Sequence, residues 1–228
     1  MSVHIRTSFM AALVLLAGCS TGVMPRTALV SPFRPANVYC REACLPSNLR
    51  RVAVLPLTGN TVHYAIAGGI ETLEPILNEE LRKQNAFELV FVSREQLQIL
   101  TGLTAVDTDR PLPAGFFKKL ARAEGCDGVI IPQLTVYRPY PPLAVGWNIK
   151  LVECQASTIW WSVDEVFDAG SLPVAAAAES YSRAELNLPD PLLADSSVLS
   201  SPRRFGQYSA YAVVATLPVR INTAKGVL

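Results

Sequence analysis

Histidine is nearly absent from this sequence: His4 and His63 are the only two in 228 residues. If the first residues are a leader, a Ser-His-acid triad or a zinc site has to be built around His63 alone. The signatures HExxH and GxSxG and an Asp-rich cation loop are missing too. Charge of one sign is also lacking. Twenty Lys and Arg stand against nineteen Asp and Glu, which leaves no net field to gather nucleic acid or to hold an anionic membrane surface. The Gly-bearing stretch "GNTVHYAIAGG" matches neither GxGxxG nor GxxxxGK[ST], so no nucleotide is expected there. Adjacent acids, Glu79 with Glu80 and Asp164 with Glu165, point apart on a helix or strand and do not share a proton. The chain therefore reads as non-enzymatic, with no catalytic residue, no metal and no cofactor beyond a lipid.

What is present is an ordinary core composition, 50% hydrophobic and 17% charged, which fits one folded domain with tails. The apolar run from Phe9 to Leu16 follows Arg6 in the layout of an export signal and is too short to span a bilayer. Leu16, Ala17, Gly18 and Cys19 then read as leucine, two small residues and cysteine. This resembles the bacterial lipoprotein signal family, which implies cleavage before Cys19 and a covalent lipid on that residue. Ser20 stands where aspartate marks inner-membrane retention, so the resemblance implies an outer-membrane anchor on the periplasmic face. Several acyl chains hold firmly, at about 0.8 kcal/mol per buried CH₂.

Removing Cys19 leaves Cys40, Cys44, Cys126 and Cys154 in an oxidising compartment. Cys40 and Cys44 are four apart in a Pro-rich approach, where a local disulfide and two free thiols are both open readings. Cys126 and Cys154 sit among apolar residues as small buried hydrophobes.

Four units follow: residues 1–18 as signal peptide, 19–49 as lipidated cysteine and Pro-rich tether, 50–218 as an α/β domain and 219–228 as tail. "RRVAVLPL" reads as a buried strand, Thr58 to Gly69 as a loop, and Thr72 to Asn85 as an amphipathic helix with Pro75 in its first turn. Phe87 to Val92 is a second strand. Ser93 and Gln96 form a capping box for a short helix, and Gly125 stops the helix carrying Phe116, Phe117 and Leu120. "DGVIIPQLTVYR" is a long strand that is either bulged at Pro132 or has its second half at an edge. A meander through Trp147 to Cys154 and "IWWSVDEVF" follows. Two helices close the order, one capped by Ser171, the other by Ser201 with Phe205, Tyr208, Ala212 and Ala215 on one side. The order predicts a mixed parallel and antiparallel sheet of about five strands with helices on its faces.

Candidate contacts are His63 and Tyr64 in the Gly-bearing stretch, and Arg138 and Tyr140 in "VYRPYPPL", which is either a stiff recognition tip or a plain rigid turn. Trp160 and Trp161 are adjacent on a strand, so one should be in the core and the other outside.

With the lipobox in front, "RRVAVLPL", "FELVFVSREQL" and "ARAEGCDGVIIPQLTVYRP" resemble the lipoprotein domain shared by the curli-assembly transport lipoprotein and the activators of penicillin-binding proteins. They are also similar to the N-terminal domain of the Tol translocation protein. The resemblance covers roughly Arg50 to Gly170. It implies an adaptor, activator or assembly factor for an envelope protein complex, bound to the membrane through lipid, with an envelope protein as partner or a homo-oligomer, and no nucleic acid. A curli-type oligomeric secretion channel is an alternative, although its amphipathic hairpins of about 9–11-residue strands are missing. A small envelope hydrolase with an unrecognised site is another.

Overall fold

The computed structural model describes residues 33–60, 63–108, 110–185 and 196–220. Two short strands, β1 (Val38–Cys40) and β2 (Cys44–Leu45), precede the buried strand β3 (Arg51–Val54) and a short β4 (Thr58–Gly59). Helix α1 (Tyr64–Gln84), β5 (Glu88–Phe91), α2 (Arg94–Thr101) and α3 (Phe116–Glu124) come next. Long strands β6 (Gly128–Arg138), β7 (Ala144–Glu153) and β8 (Thr158–Asp168) form the meander. Helix α4 (Leu172–Glu185), a 3₁₀ turn (Ser196–Leu199), α5 (Pro202–Val214) and β9 (Val219–Arg220) complete the order.

Seven strands make one mixed sheet, β1-β8-β7-β6-β3-β5 with β4 beside β6, while β2 and β9 form a parallel pair. This is the expected mixed α/β domain. The sheet exceeds about five strands because β1 and β4 are two or three residues long and carry no periodicity of their own, as is true of the separate β2–β9 pair. The approach segment expected as tether thus joins the sheet: β1 pairs with β8, and Glu165 Oε2 accepts the amides of Ala36 at 2.7 Å and Asn37 at 3.3 Å. Cys40 and Cys44 are both free thiols, since the chain diverges between them, Cys40 to Trp161 in the large sheet and Cys44 to Val219 in the small one.

Alternation sorts the core into two layers. Val52, Val54, Ile130, Trp147, Ile149 and Trp161 face α1, α4 and α5, whereas Ala53, Leu55, Val129 and Ile131 face α2 and α3. Trp147 Nε1 donates to Ser209 Oγ of α5 at 3.0 Å, so the largest buried ring has its polar atom satisfied. On α5 the buried positions include Phe205, Tyr208, Ser209 and Val213, while Ala212 is half-buried and Ala215, the C-cap, is exposed.

Three expectations are corrected or refined. Helix α1 begins at Tyr64, not Thr72, and carries Pro75 in its interior. Gly69, the residue that made this stretch look like a loop, is where the helix touches β6, since a Cβ there would lie 2.6 Å from the Tyr137 ring and 2.7 Å from Leu134. The irregularity of β6 falls between Leu134 and Val136, and past Leu134 the strand pairs with β7 alone, so its second half does end at an edge, but neither feature is at Pro132. That proline lies opposite Ile149 of β7, in the gap between the β3 and β4 pairings, so its missing N–H breaks no ladder, and its carbonyl accepts from Thr58 Oγ1 at 3.4 Å. Finally, Trp161 is fully buried but Trp160 is only half exposed. The register shift between Leu151 and Val152 inserts Trp160 as the extra residue of a bulge, which breaks strict alternation.

Asp127 ties the lower end of the sheet together. One carboxylate oxygen, Oδ2, accepts the amides of Arg50 and Arg51, both at 2.9 Å, its own amide donates to the Arg51 carbonyl at 2.7 Å, and its carbonyl accepts from Cys154 at 2.9 Å. Three strands are thereby set in register by one residue. Asp127→Ala should cost about 2 kcal/mol of unfolding free energy, because two amides lose a charged acceptor. Asp127→Asn, which keeps an acceptor oxygen, should cost less than half of that. Urea midpoints of the two variants against the parent chain check the order.

Candidate functional site

The long strand β6 carries its carboxyl end, with Arg138, towards the hairpin that leads to β7, and α1 crosses the same end with its first turns. The contact of Gly69 with Tyr137 fixes that arrangement. His63 and Tyr64 therefore share one end of the sheet with Arg138 and Tyr140. Trp160 and Trp161 lie at the opposite end, near the turn between β7 and β8. The structure thus brings four of the six sequence-derived contact candidates together and separates two.

Within that end the side chains differ in role. His63 is the residue before α1, with no side-chain hydrogen bond to the helix, and its amide donates to Asn60. Tyr64 is 92% exposed and Tyr140 78% exposed, high for rings that normally bury most of their area. Arg138 works inward: its Nε donates to the Pro142 carbonyl and its Nη2 meets Asp168 Oδ1 at 2.9 Å. The guanidinium braces the hairpin that carries Tyr140. The Gly170 amide, at 2.8 Å from the same Oδ1, and the Arg138 charge hold the Asp168 carboxyl below its ordinary range. At the other end the Arg41 guanidinium sits over the Trp160 ring at 5.7 Å, and Trp161 Nε1 donates to Thr216 Oγ1 at 3.0 Å. Trp161 belongs to the core.

Beside α1 lies an open groove of about 430 Å³, lined by Leu57, Thr58, Gly59, Ile70, Glu74 and Arg94 among others. Glu74 is held there by two bonds, accepting the Leu57 amide at 3.0 Å and the Arg94 Nη2 at 2.9 Å, while the same Nη2 donates to the Leu57 carbonyl at 3.0 Å. Its charges are already satisfied. Ala67 and Glu71 also line it, and the spacing of three and seven residues puts Tyr64 in line with them on the helix. Sequence reading missed this groove because Glu74 and Arg94 are twenty positions apart and meet only through the β3-α1-β5-α2 crossover. Among the described residues no group of three or more His, Cys, Asp and Glu could hold a metal, and no helix is long and apolar enough to cross a membrane. Cys19 lies outside the described residues.

Neither a family model nor a curated protein matches the chain. Among solved structures, the PelC dodecamer from Paraburkholderia phytofirmans is similar at 15% identity and TM-score 0.39, over 62% of this chain and 87% of that one. Lipoprotein GNA1162 from Neisseria meningitidis is similar at 13% identity and TM-score 0.38, over 61% and 99%. The LpoB C-terminal domain from Salmonella enterica is similar at 18% identity and TM-score 0.32, over 53% and 83%. At these scores the likenesses carry no inference about role, which has to come from the chain's own residues.

The Arg138–Asp168 pair gives a pH test. Because folding lowers the Asp168 pKa, its stabilisation is complete above the ordinary aspartate pKa of about 3.9 and fades as the pH falls through the lower folded value. Both side chains are 45% exposed, so solvent screening keeps the effect of Asp168→Asn below about 1 kcal/mol. Denaturation of parent and Asp168→Asn should show a small gap at neutral pH that closes in acid.

Proposed function

We propose that this chain is a membrane-anchored periplasmic lipoprotein acting as a non-enzymatic adaptor or assembly factor for an envelope protein complex. Two features support the reading. The first is the run Leu16-Ala17-Gly18-Cys19 behind a short apolar segment, the arrangement a lipid anchor needs. The second carries the argument for a partner: Tyr64 and Tyr140, exposed rings on different elements, stand at one end of the sheet, and the second rides on a hairpin braced by Arg138. Exposed tyrosines on rigid supports are what protein interfaces use, since the ring supplies contact area at little entropic cost. In the proposed role the groove beside α1 gives the partner a concave seat next to Tyr64. His63 flanks it as a polar contact and is not a catalytic base.

Both halves are testable in cells. Cys19→Ala should abolish fatty-acid labelling and move the protein from the membrane to the soluble fraction; a variant that stays labelled and membrane-bound sinks the anchor. Photo-crosslinkers placed at Tyr64 and Tyr140 should trap the same envelope protein, and one at the exposed Lys118 on α3 should not. Tyr64→Ala and Tyr140→Ala should each weaken that association by about 1–2 kcal/mol, roughly five- to thirtyfold. Their stability should stay within about 0.5 kcal/mol of the parent. Unchanged trapping in both variants would remove this surface from the account.

A further inference from the structure

Cys126 and Cys154 are twenty-eight positions apart and meet in the second core layer, with their sulfurs 4.0 Å from each other. Both are buried, at 5% and 1% exposure. They are held there by the Asp127 knot, since Cys154 donates its amide to the Asp127 carbonyl. Each lies just outside a strand, Cys126 two residues before β6 and Cys154 immediately after β7. At those positions the side-chain torsions can bring the sulfurs together while the Asp127 bonds keep the backbone in place. Closing the sulfurs to the ~2.05 Å of a disulfide requires an approach of about 2 Å. By contrast, Cys40 and Cys44 belong to separate sheets.

We propose that Cys126 and Cys154 form a structural disulfide when the chain folds in an oxidising compartment, with a protein or low-molecular-weight disulfide as the oxidant. The occurrence of the bond in cells rests on the export reading above; the capacity to form it does not. The thiolate of one cysteine attacks the donor disulfide, giving a mixed disulfide and releasing one donor thiolate. The second cysteine thiolate then displaces the other donor sulfur and forms the Cys126–Cys154 bond. The two protons lost by the chain's thiols are taken up by the two donor thiolates. The chain is oxidised by two electrons and the donor reduced by two. Exchange has to precede closure of α2 and α3 over this layer, because afterwards donor access is gone. In the folded, reduced protein the adjacent Cys126 sulfur and burial also push the Cys154 thiol well up, away from the reactive thiolate. The bond would staple the start of β6 to the end of β7 at the point where Asp127 already gathers three strands.

The full chain, unfolded and reduced, is refolded with a mixture of oxidised and reduced glutathione, denatured without reductant, alkylated and digested with trypsin. Cleavage at Arg41, Arg122, Lys150 and Arg183 leaves Cys40, Cys44, Cys126 and Cys154 in four separate peptides. The expected result is a linked pair carrying Cys126 and Cys154, its loss on reduction, and a lower denaturant midpoint for the reduced protein. Alkylation of both thiols in the refolded, unreduced protein overturns the proposal. In a second arm the chain is isolated from a bacterial envelope and mapped in the same way, alongside fatty-acid labelling of Cys19. Linked peptides with labelled Cys19 support both readings. Free Cys126 and Cys154 in labelled, exported protein overturn the disulfide. Linked peptides after refolding, with unlabelled Cys19 and free thiols in cell-derived protein, support the disulfide and remove the export reading alone.

Discussion

The carboxylate of Asp127 is the interaction from which the rest of the sheet is set. Strands β3 and β6 are parallel and far apart in sequence, so no turn fixes their register. Asp127 does so by accepting two consecutive amides at the start of β3 while its own backbone bonds to β3 and β7. Once that end is fixed, the β6–β7 pairing runs in step from Gly128 to Leu134, where the register shifts. The proline in that strand then falls in the gap between the β3 and β4 pairings, where no amide is required.

The same register decides which surface is left for recognition. Holding β6 at its lower end sends its carboxyl end, and the hairpin beyond, up beside the first turns of α1. Gly69 allows the helix to lie close enough that Tyr137 packs under it, and Tyr64 is carried past the end of the contact into solvent. Below this, the Glu74–Arg94 pair closes the floor of the groove with its charges matched to Leu57 backbone atoms. A site of this type offers shape and aromatic surface in preference to charge.

How far the sequence revealed this depends on whether each signal is local. The capping box of Ser93 and Gln96, the left-handed stop at Gly125 and the alternation around Trp147 are local, and all appear in the structure. The start of α1 is hidden in the sequence because its glycines look like turn geometry and Pro75 suits a first turn, whereas packing against β6 outweighs their cost inside the helix. Strands β1 and β2 were hidden because a strand of two or three residues exists only through its partner. Trp160 is only partly outside for one reason: a bulge formed by pairing with β7 leaves no mark on β8 itself. At the site, exposure of Tyr64 and Tyr140 could be guessed from their surroundings. Their common location could not, because it requires the topology.

The pairing of β1 with β8 has a geometric consequence for anything tethered at Cys19. Phe33 already packs against Phe167, so only the thirteen residues from Ser20 to Pro32 separate the proposed lipid from the domain. At most ~3.6 Å per step, the fourteen Cα steps from Cys19 to Phe33 reach no farther than about 50 Å. With the proposed lipid on Cys19, the domain would be short-leashed and confined to a shell beside the membrane surface. A partner of the anchored protein would then have to come to that shell.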